Sequence, residues 1–415
     1  MNASAEPEVA ALAAATLLRN TATIRERANA LLARARAGQS DWFVIGADAA
    51  LDRTAQIVAD VTRERYGDGP IPYHSRWRHF EAGGVDRRAE LQRLRGHVDH
   101  DVSARSQIDL TFVSVLLDAG AGADWKYWEN ESGQSFTRSE GLGVASFRAF
   151  VSGMFSSNPR HPLRVDAAGL CSITTSQLAT AFQVSNSNPI IGLEGRVSLL
   201  HRLGETLRRW PDYFGEEGRP GELFHALAGK RKQVAVREIL DLLLASLSDV
   251  WPAPNQLDDE TTLGDCWRHS AVPGEGMSDG WMPFHKLSQW LTYSLIEPFE
   301  WAGIQVTGLS ALTGLPEYRN GGLLLDAGVI VPKDSALLDR TWQVGDEFIV
   351  EWRALTVALL DELAPRVRKM LGKTEAEMPL ACVLEGGTWA AGRVLAQQLR
   401  GGSPPLRINS DGTVF

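Results

Sequence analysis

Four segments of the chain combine charged or hydrogen-bonding side chains with glycine or aromatic neighbours, a composition typical of places where a small molecule approaches the backbone. In the first segment, Asp118 precedes Ala-Gly-Ala-Gly and is followed by Trp125 and Trp128. A carboxylate beside small residues leaves room for a ligand, and aromatic rings offer a stacking surface. The same residues also fit a helix that ends at Asp118 with a glycine cap, followed by tryptophans that only pack. Both interpretations remain open.

The second segment, Arg138-Ser139-Glu140-Gly141, leads into a predicted helix that begins at Val144. The N–H groups of a helix N-terminus attract negative charge, and Arg138 adds a positive charge beside them. This combination favours an anion site. A capped helix with a surface arginine explains the residues equally well.

The third segment extends from Trp281 to Trp290 and places His285, Lys286 and Gln289 near the start of a predicted helix. Lys286, Gln289 and Trp290 share one helix face, because residues three and four apart lie side by side. A partly buried lysine needs an anionic partner. Lys286 is therefore a candidate for binding an anionic ligand.

The fourth segment contains Pro316-Glu317-Tyr318-Arg319, followed after Asn320 by two glycines. Proline before an acidic residue is typical of the first turn of a helix, and the glycine pair predicts an early bend or end. Glu317 is either a capping group or the acid or nucleophile of a site. The sequence leaves both roles open.

Signatures of common cofactor and metal sites are incomplete. Gly372-Lys373-Thr374 resembles the end of a P-loop but lacks the first glycine, and no GxSxG motif occurs. His97 and His100 are three residues apart, as are Cys266 and His269, whereas the helical zinc pattern requires a spacing of four. We therefore interpret both pairs as structural or surface residues and predict neither a metal nor a cofactor.

Composition narrows the class of protein. The 415 residues include 42 Lys and Arg against 51 Asp and Glu, a net charge of −9 that disfavours binding to a nucleic acid polymer. Three widely spaced cysteines predict no disulfide framework. The N-terminus lacks the basic residues of a signal peptide, and its apolar run from Val9 to Leu18 is too short to span a membrane. We expect a soluble, cytoplasmic protein without a membrane partner, and the sequence is compatible with an oligomer.

The elements that must position these segments are mainly helices. Apolar residues recur at helical spacing, for example over residues 193–209, 236–250, 285–301 and 347–370, and clean two-residue alternation is almost absent. These patterns predict a mainly α fold with few short strands. We predict an N-terminal helical region at 1–107, a catalytic domain at 108–400 and an irregular tail at 401–415. The tail is expected to fold back over the cleft, although a terminus docked on the surface fits as well.

The order of the motifs resembles the queuosine salvage proteins, which are nucleotide N-glycosidases with a helical fold related to the helical DNA glycosylases. Their Lys-Arg-Ala-Gln, Ala-Asp-Tyr-Arg and Glu-x-Arg-Ala motifs are similar here to Lys286-Leu287-Ser288-Gln289, Pro316-Glu317-Tyr318-Arg319 and Glu351-Trp352-Arg353-Ala354. The resemblance implies the same helical fold and places Glu317 where those proteins have Asp. The longer Glu317 side chain and the loss of the arginine at Leu287 imply a different pocket.

Along nearly the whole chain, the sequence also resembles the uracil catabolism protein four family. The shared motifs are DAGAG, RSEGL, RVDAAGL, LEGGTWAAGR and the terminal SDGTVF. That family is associated with ring-opening degradation of uracil at the nucleotide level, which yields a ribosyl-urea intermediate. The two resemblances together imply a hydrolase that splits ribosyl-urea, or its 5′-phosphate, into urea and ribose or ribose phosphate.

Cleavage of an N-ribosyl bond needs a carboxylate near the anomeric carbon, because positive charge develops there. The resemblance assigns this role to Glu317, and Asp118 of the first segment is the next candidate carboxylate. Lys286, with Arg319 or Arg138, is expected to bind the phosphate. Asp118, Trp125 and Glu351 are expected to hold the leaving group, and the remaining predicted substrate contacts are His285, Gln289 and Tyr318. The alternatives are a non-catalytic nucleotide-binding or scaffold protein and an amidohydrolase that opens a pyrimidine ring.

Overall fold

The computed structural model describes residues 5–118, 120–122, 124–250 and 255–409. Helices account for most of these residues, and every strand is three or four residues long. The prediction of a mainly α fold with few short strands is confirmed. In the part of the chain that is described, none of the helices is both long and apolar enough to cross a membrane.

The α-helices are numbered in chain order. They are α1 (Ala5–Leu18), α2 (Thr21–Arg36), α3 (Asp48–Tyr66), α4 (Trp77–Phe80), α5 (Arg87–Arg95), α6 (His100–Leu116), α7 (Arg138–Val151), α8 (Ala167–Cys171), α9 (Thr175–Ala181), α10 (Leu193–Arg209), α11 (Pro211–Phe214), α12 (Leu223–Ala228), α13 (Val236–Leu247), α14 (Lys286–Trp301), α15 (Tyr318–Asp326), α16 (Glu347–Leu371), α17 (Leu380–Val383) and α18 (Trp389–Arg400). A π-helical turn, Leu384–Thr388, joins the last two.

The strands form pairs rather than a continuous sheet. Antiparallel pairs join β1 (Phe43–Ile45) to β8 (Ile330–Pro332), β2 (Lys126–Glu129) to β3 (Gln134–Thr137), and β5 (Cys266–Arg268) to β6 (Trp281–Pro283). Parallel pairs join β4 (Gln233–Ala235) to β7 (Gln305–Thr307), and β9 (Thr341–Gln343) to β10 (Arg407–Asn409). The last pair gives regular structure to part of the tail that we expected to be irregular.

The chain divides into two compact units. The described residues up to His74, from 255 to 289 and from 309 to 409 form the first unit. Residues 75–250 and 290–308 form the second unit, so the sequence enters and leaves each unit more than once. The predicted division at residues 107 and 400 stays a prediction.

The first unit is organised around α16, which packs against α2 and α3. This helix is buried along most of its length because apolar side chains occupy nearly its whole circumference. It ends at Gly372, whose left-handed conformation (φ 64°) is one that glycine adopts without strain. In the same unit α15 packs on α18 so closely that a Cβ at Gly392 would lie 2.2 Å from the Arg319 carbonyl oxygen.

In the second unit, the β2–β3 hairpin leads directly into α7. This helix begins at Arg138, six residues before the predicted start at Val144. Glycine disfavours helix, so Gly141 and Gly143 weaken the local helical pattern before Val144. The structure explains both glycines by packing, because an added Cβ would lie 2.9 Å from the Phe136 carbonyl oxygen at Gly141 and 2.8 Å from the His79 Cβ at Gly143.

Candidate functional site

Glu317 is held by the N-terminus of the helix that follows it. Its backbone is extended, and its carboxylate accepts hydrogen bonds from the backbone N–H groups of Arg319 (2.7 Å) and Asn320 (2.6 Å), one on each oxygen. The side chain therefore acts as the N-cap of α15. Capping leaves further lone pairs on both oxygens, so the structural role and a catalytic role are compatible.

Burial and nearby positive charges have opposite effects on the ionisation of Glu317. Burial raises the pKa of Glu317 above its ordinary value. The two backbone N–H donors oppose this rise, and so do the positive charges of Lys286 and His74. In contrast to a salt-bridged carboxylate, Glu317 takes its hydrogen bonds in the described structure from backbone N–H groups. Its charge is thus fixed in position without a bonded guanidinium.

Lys286 is the first residue of α14, and a buried ion pair fixes its backbone. Its N–H group donates to Asp265 (3.0 Å), which also accepts two hydrogen bonds from Arg353 (both 2.8 Å) and one from the Trp267 indole (2.7 Å). Burial opposes ionisation of Asp265, but Arg353 and the other donors outweigh it and hold its pKa well below the usual range. The charged Asp265 carboxylate therefore anchors the N-terminus that carries Lys286.

His285 is buried and has a left-handed backbone (φ 49°), an uncommon conformation for a residue other than glycine. Its Nε2 atom lies 3.0 Å from the Leu18 carbonyl oxygen. Burial lowers the pKa of His285 to about 4, so the imidazole is neutral at pH 7. These contacts support a role in shaping the start of α14, and the predicted substrate contact stays a prediction.

Gln289 lies one turn into α14 and is completely buried. Its amide donates to the Thr313 hydroxyl (2.7 Å) and accepts from the Thr313 backbone N–H (2.8 Å). This pair ties α14 to the loop that leads to Glu317. Gln289 therefore connects the two elements that carry Lys286 and Glu317.

The two residues after Glu317 face the C-terminal part of the first unit. Burial, followed by the charge of Glu317, raises the pKa of Tyr318 to about 12. Tyr318 lines a cavity of about 910 Å³ together with Arg400 and residues 403–409, and Arg319 donates to the Gly402 carbonyl (3.3 Å). Residues 410–415 lie outside the described residues, so the expectation that the tail covers the cleft stays a prediction.

Glu351 belongs to a separate buried cluster of the first unit. It accepts hydrogen bonds from the Ser40 hydroxyl and from His269 Nε2 (3.1 Å), while His269 Nδ1 accepts from the Ala271 N–H. Cys266 is fully buried in the neighbouring strand. Within the described ranges, no group of three or more His, Cys, Asp or Glu side chains is arranged to hold a metal ion.

Sequence reasoning missed His74 and Glu385, which are 311 positions apart and form a buried pair. His74 Nδ1 lies 2.9 Å from Glu385 Oε2, and the other carboxylate oxygen accepts from Arg65 (2.8 Å) and the Tyr66 hydroxyl (3.0 Å). Burial raises the pKa of Glu385, but His74 and Arg65 outweigh that effect and lower it. Glu385 lies in the π-helical turn, a geometry frequent at functional sites, and its Glu-Gly-Gly sequence was the available signal.

The other three predicted residues belong to the second unit. Asp118 accepts a hydrogen bond from Arg76 (2.6 Å), and burial nevertheless raises the pKa of Asp118. Arg138 is exposed and begins α7. Trp125 is fully buried, stacks on Phe182 and donates to its carbonyl oxygen (2.9 Å), which corresponds to the packing interpretation of this tryptophan.

Comparison with known proteins identifies the family. The family described as "Protein of unknown function (DUF1688)" matches residues 17–415, and the chain belongs to it. The chain is 40% identical to Protein urg3 of Schizosaccharomyces pombe over 404 residues, 94% of this chain and 96% of the relative. It is 38% identical to Uracil catabolism protein 4 of Lachancea kluyveri over 399 residues, 88% and 90% of the two chains. The predicted membership of the uracil catabolism protein four family is thereby confirmed.

Proposed function

We propose that this protein acts in uracil catabolism as a hydrolase that cleaves the N-ribosyl bond of ribosyl-urea or its 5′-phosphate. The name of the relative from Lachancea kluyveri supports the pathway. One structural observation carries the proposed reaction. It is a half-buried Glu317, fixed by two backbone N–H groups, whose charge is influenced by Lys286 and His74.

In this reaction the bond between C1′ and the urea nitrogen breaks, and the oxygen of water forms the new bond to C1′. One proton of the water is released, and the departing nitrogen gains one proton. Positive charge grows on C1′ as the bond stretches. A fixed carboxylate stabilises that charge without reorganisation, and it also accepts a hydrogen bond from the attacking water. We assign these two tasks to Glu317.

The proposed phosphate contact is Lys286. Its ammonium group is carried on the first turn of a helix, where the N–H groups add partial positive charge. The Asp265–Arg353 pair keeps the backbone of that turn in place, so the turn itself does not need to reorganise when an anionic substrate binds. Arg319, in the same unit, remains the further phosphate candidate of the proposal.

We assign protonation of the leaving nitrogen to His74. A histidine whose ring is oriented by a carboxylate is a common proton donor in hydrolytic sites. Glu385 holds Nδ1 of His74, and His74 acts electrostatically on Glu317. The predicted contributions of Asp118, Trp125 and Glu351 to leaving-group binding are not needed for this assignment.

The test is to incubate the full chain with ribosyl-urea and with its 5′-phosphate and to measure urea and the freed sugar. Glu317→Gln keeps the size of the side chain but removes its charge, and we expect kcat to fall by about 100-fold, equivalent to ~3 kcal/mol. Asp86→Asn is a matched control, because Asp86 also caps a helix through a backbone N–H (Ala89, 2.9 Å). This control should keep the wild-type rate.

Three outcomes would contradict the proposal. Wild-type turnover by a folded Glu317→Gln protein would remove Glu317 from the reaction, and Asp118 would be the next carboxylate to test. Binding of both compounds without turnover would favour the nucleotide-binding or scaffold alternative. Opening of a supplied pyrimidine ring to an acyclic ureido acid, detected as loss of the ring's ultraviolet absorbance without release of urea, would favour the amidohydrolase.

A further inference from the structure

The second unit contains a buried arginine with an unsatisfied donor. Arg76 is completely buried, and its Nε and Nη1 atoms donate to the Ser114 hydroxyl (2.6 Å) and to Asp118 (2.6 Å). Its Nη2 atom is also buried but has no hydrogen-bond partner in the described structure. A buried guanidinium N–H group without a partner is a donor that an acceptor brought by a ligand would satisfy.

The guanidinium of Arg76 lies along the first two turns of α7. Nη1 is 3.3 Å from the Ser139 carbonyl oxygen, and an added Cβ at Gly143, one turn further along, would lie 3.6 Å from Nη2. A larger residue at Gly143 would therefore crowd the arginine. The unsatisfied donor is thus placed against the N-terminal part of a 14-residue helix.

That helix N-terminus has two features of its own. Thr137, at the N-cap position, makes no side-chain cap bond, so its hydroxyl does not satisfy the first-turn N–H groups. Arg138 has a left-handed backbone (φ 54°), although it is not glycine. Strained residues of this kind are often found where a ligand binds. Asp118, Ser139 and Glu140 are partly exposed around this terminus, and Arg138 is exposed.

Three arginines and two carboxylates lie at this terminus or act on Asp118 beside it. Arg76 and Arg196 are both buried, and Arg196 donates to the backbone carbonyls of Leu117 and Gly120 (both 3.3 Å). With Arg138 they give three positive charges, against the carboxylates of Asp118 and Glu140. The partial positive charge of the helix N-terminus adds to this excess. A ligand for this site must therefore supply negative charge and hydrogen-bond acceptors.

We propose that the N-terminus of α7, together with Arg76 and Arg138, binds an oxyanion of the phosphoryl class. The ligand oxygens would accept from the first-turn N–H groups and from Arg76, while Arg138 contributes its charge at the rim. Phosphate suits this arrangement because it offers several acceptor oxygens and two negative charges to a mixed set of donors. The site rests on residues of the second unit and does not depend on the proposed hydrolase activity.

Inorganic phosphate is the probe, titrated calorimetrically into the full chain at low ionic strength. Lys286→Met provides a background in which the proposed substrate phosphate contact is absent. In that background, Arg138→Gln should weaken phosphate binding by about fivefold, the effect of losing one charge at a helix N-terminus. Glutamine tolerates the backbone there, since Gln183 has the same φ of 54°. Arg160→Gln, an equal charge change at another exposed arginine, should leave binding unchanged.

Asp118→Asn gives a prediction of opposite sign. It keeps the side-chain shape but removes the negative charge closest to Arg76, so phosphate should bind about fivefold more tightly. Hydrogen exchange followed by mass spectrometry should locate phosphate protection in the peptide that contains residues 138–143. This measurement also works in the wild-type chain if Lys286→Met is poorly folded.

Equal affinities for Arg138→Gln and Arg160→Gln, or phosphate protection that omits residues 138–143, would overturn this site. Those results would leave the proposed hydrolase intact. Conversely, loss of urea release in Glu317→Gln with unchanged protection at α7 would support both proposals independently.

Discussion

Glu317 and Glu129 are both inward-placed glutamates, but their surroundings give them opposite properties. Glu129, at the end of β2, is 1% exposed and bonded to the guanidinium groups of Arg87 and Arg148 and to the Ser132 hydroxyl (2.6 Å). Burial alone would raise the pKa of Glu129, but these hydrogen bonds lower it to about 2. For Glu317 the balance is reversed, and burial raises the pKa.

The difference lies in the groups that donate hydrogen bonds to each carboxylate. Glu129 is surrounded by directly bonded cations, so its charge is neutralised and its contribution is to join the hairpin to α5 and α7. Glu317 is fixed by neutral N–H groups, and the positive groups that affect it are not hydrogen-bonded to it in the described structure. Its charge therefore remains available to a substrate. These surroundings agree with a stabilising role for Glu129 and with the catalytic role proposed for Glu317.

The largest expected effect is on the stability of the Glu129 cluster. Glu129→Gln leaves the buried guanidinium of Arg87 without its carboxylate, while Arg148 keeps its pair with Glu90. We expect the free energy of unfolding to fall by about 3–5 kcal/mol. Glu317→Gln removes only the charge of a helix cap and should cost about 1 kcal/mol. Urea unfolding of the two variants measures both values. Equal losses would break the distinction between the two sites.

The stabilisation contributed by Glu129 should depend on pH in the acidic range. The pKa of Glu129 is lowered from 4.5 to about 2, so its stabilisation is complete above pH 4.5 and is lost as the pH falls towards 2. The difference corresponds to about 3 kcal/mol. The stability gap between wild type and Glu129→Gln should therefore shrink across this range. A gap that stays constant from pH 6 to pH 2.5 would exclude Glu129 as its cause.

Lys286→Met should affect activity more than stability. We expect KM for the phosphorylated substrate to rise about tenfold, or ~1.4 kcal/mol, through loss of one charged contact. Lys286 also lowers the pKa of Glu317, so its removal should raise that pKa further. Because the proposed reaction needs ionised Glu317, the acidic limb of the pH–rate profile should move to higher pH.

Lys126→Met is the control for this shift, since Lys126 is an exposed lysine of β2 in the second unit. It should change neither KM nor the acidic limb. An unchanged KM together with an unchanged acidic limb in Lys286→Met would remove Lys286 from the site.

The smallest effect is expected at Ser132, which supplies one of the hydrogen bonds to Glu129. Ser132→Ala should lower stability by about 0.5–1.5 kcal/mol, the usual value of a single hydrogen bond. Burial continues to disfavour the ionised carboxylate, so the pKa of Glu129 should rise slightly. Chemical denaturation at pH 6 and pH 3 tests both statements. A loss as large as that of Glu129→Gln would show that the serine, not the arginines, dominates the cluster.

Local patterns were sufficient for much of the fold. Helical spacing predicted α10 at its observed bounds and α16 to within one residue, because apolar faces and terminal glycines are encoded within each segment. The local patterns placed the start of α7 too late, because Gly141 and Gly143 disfavour helix locally but are required by close packing. The same patterns singled out Glu317 and Lys286 without revealing what stabilises them.

The sequence by itself determined the helical class, the family and the motifs that carry Glu317, Lys286 and Asp118. Only the tertiary structure decided which carboxylates are hydrogen-bonded to arginines and which are hydrogen-bonded to backbone N–H groups. His74 meets Glu385 across 311 positions, and Asp265 meets Arg353 across 88. A pKa depends on burial and on such distant partners, and neither is written in the spacing of neighbouring residues. For this reason an acidic residue in a promising motif became a chemical hypothesis only after its surroundings were known.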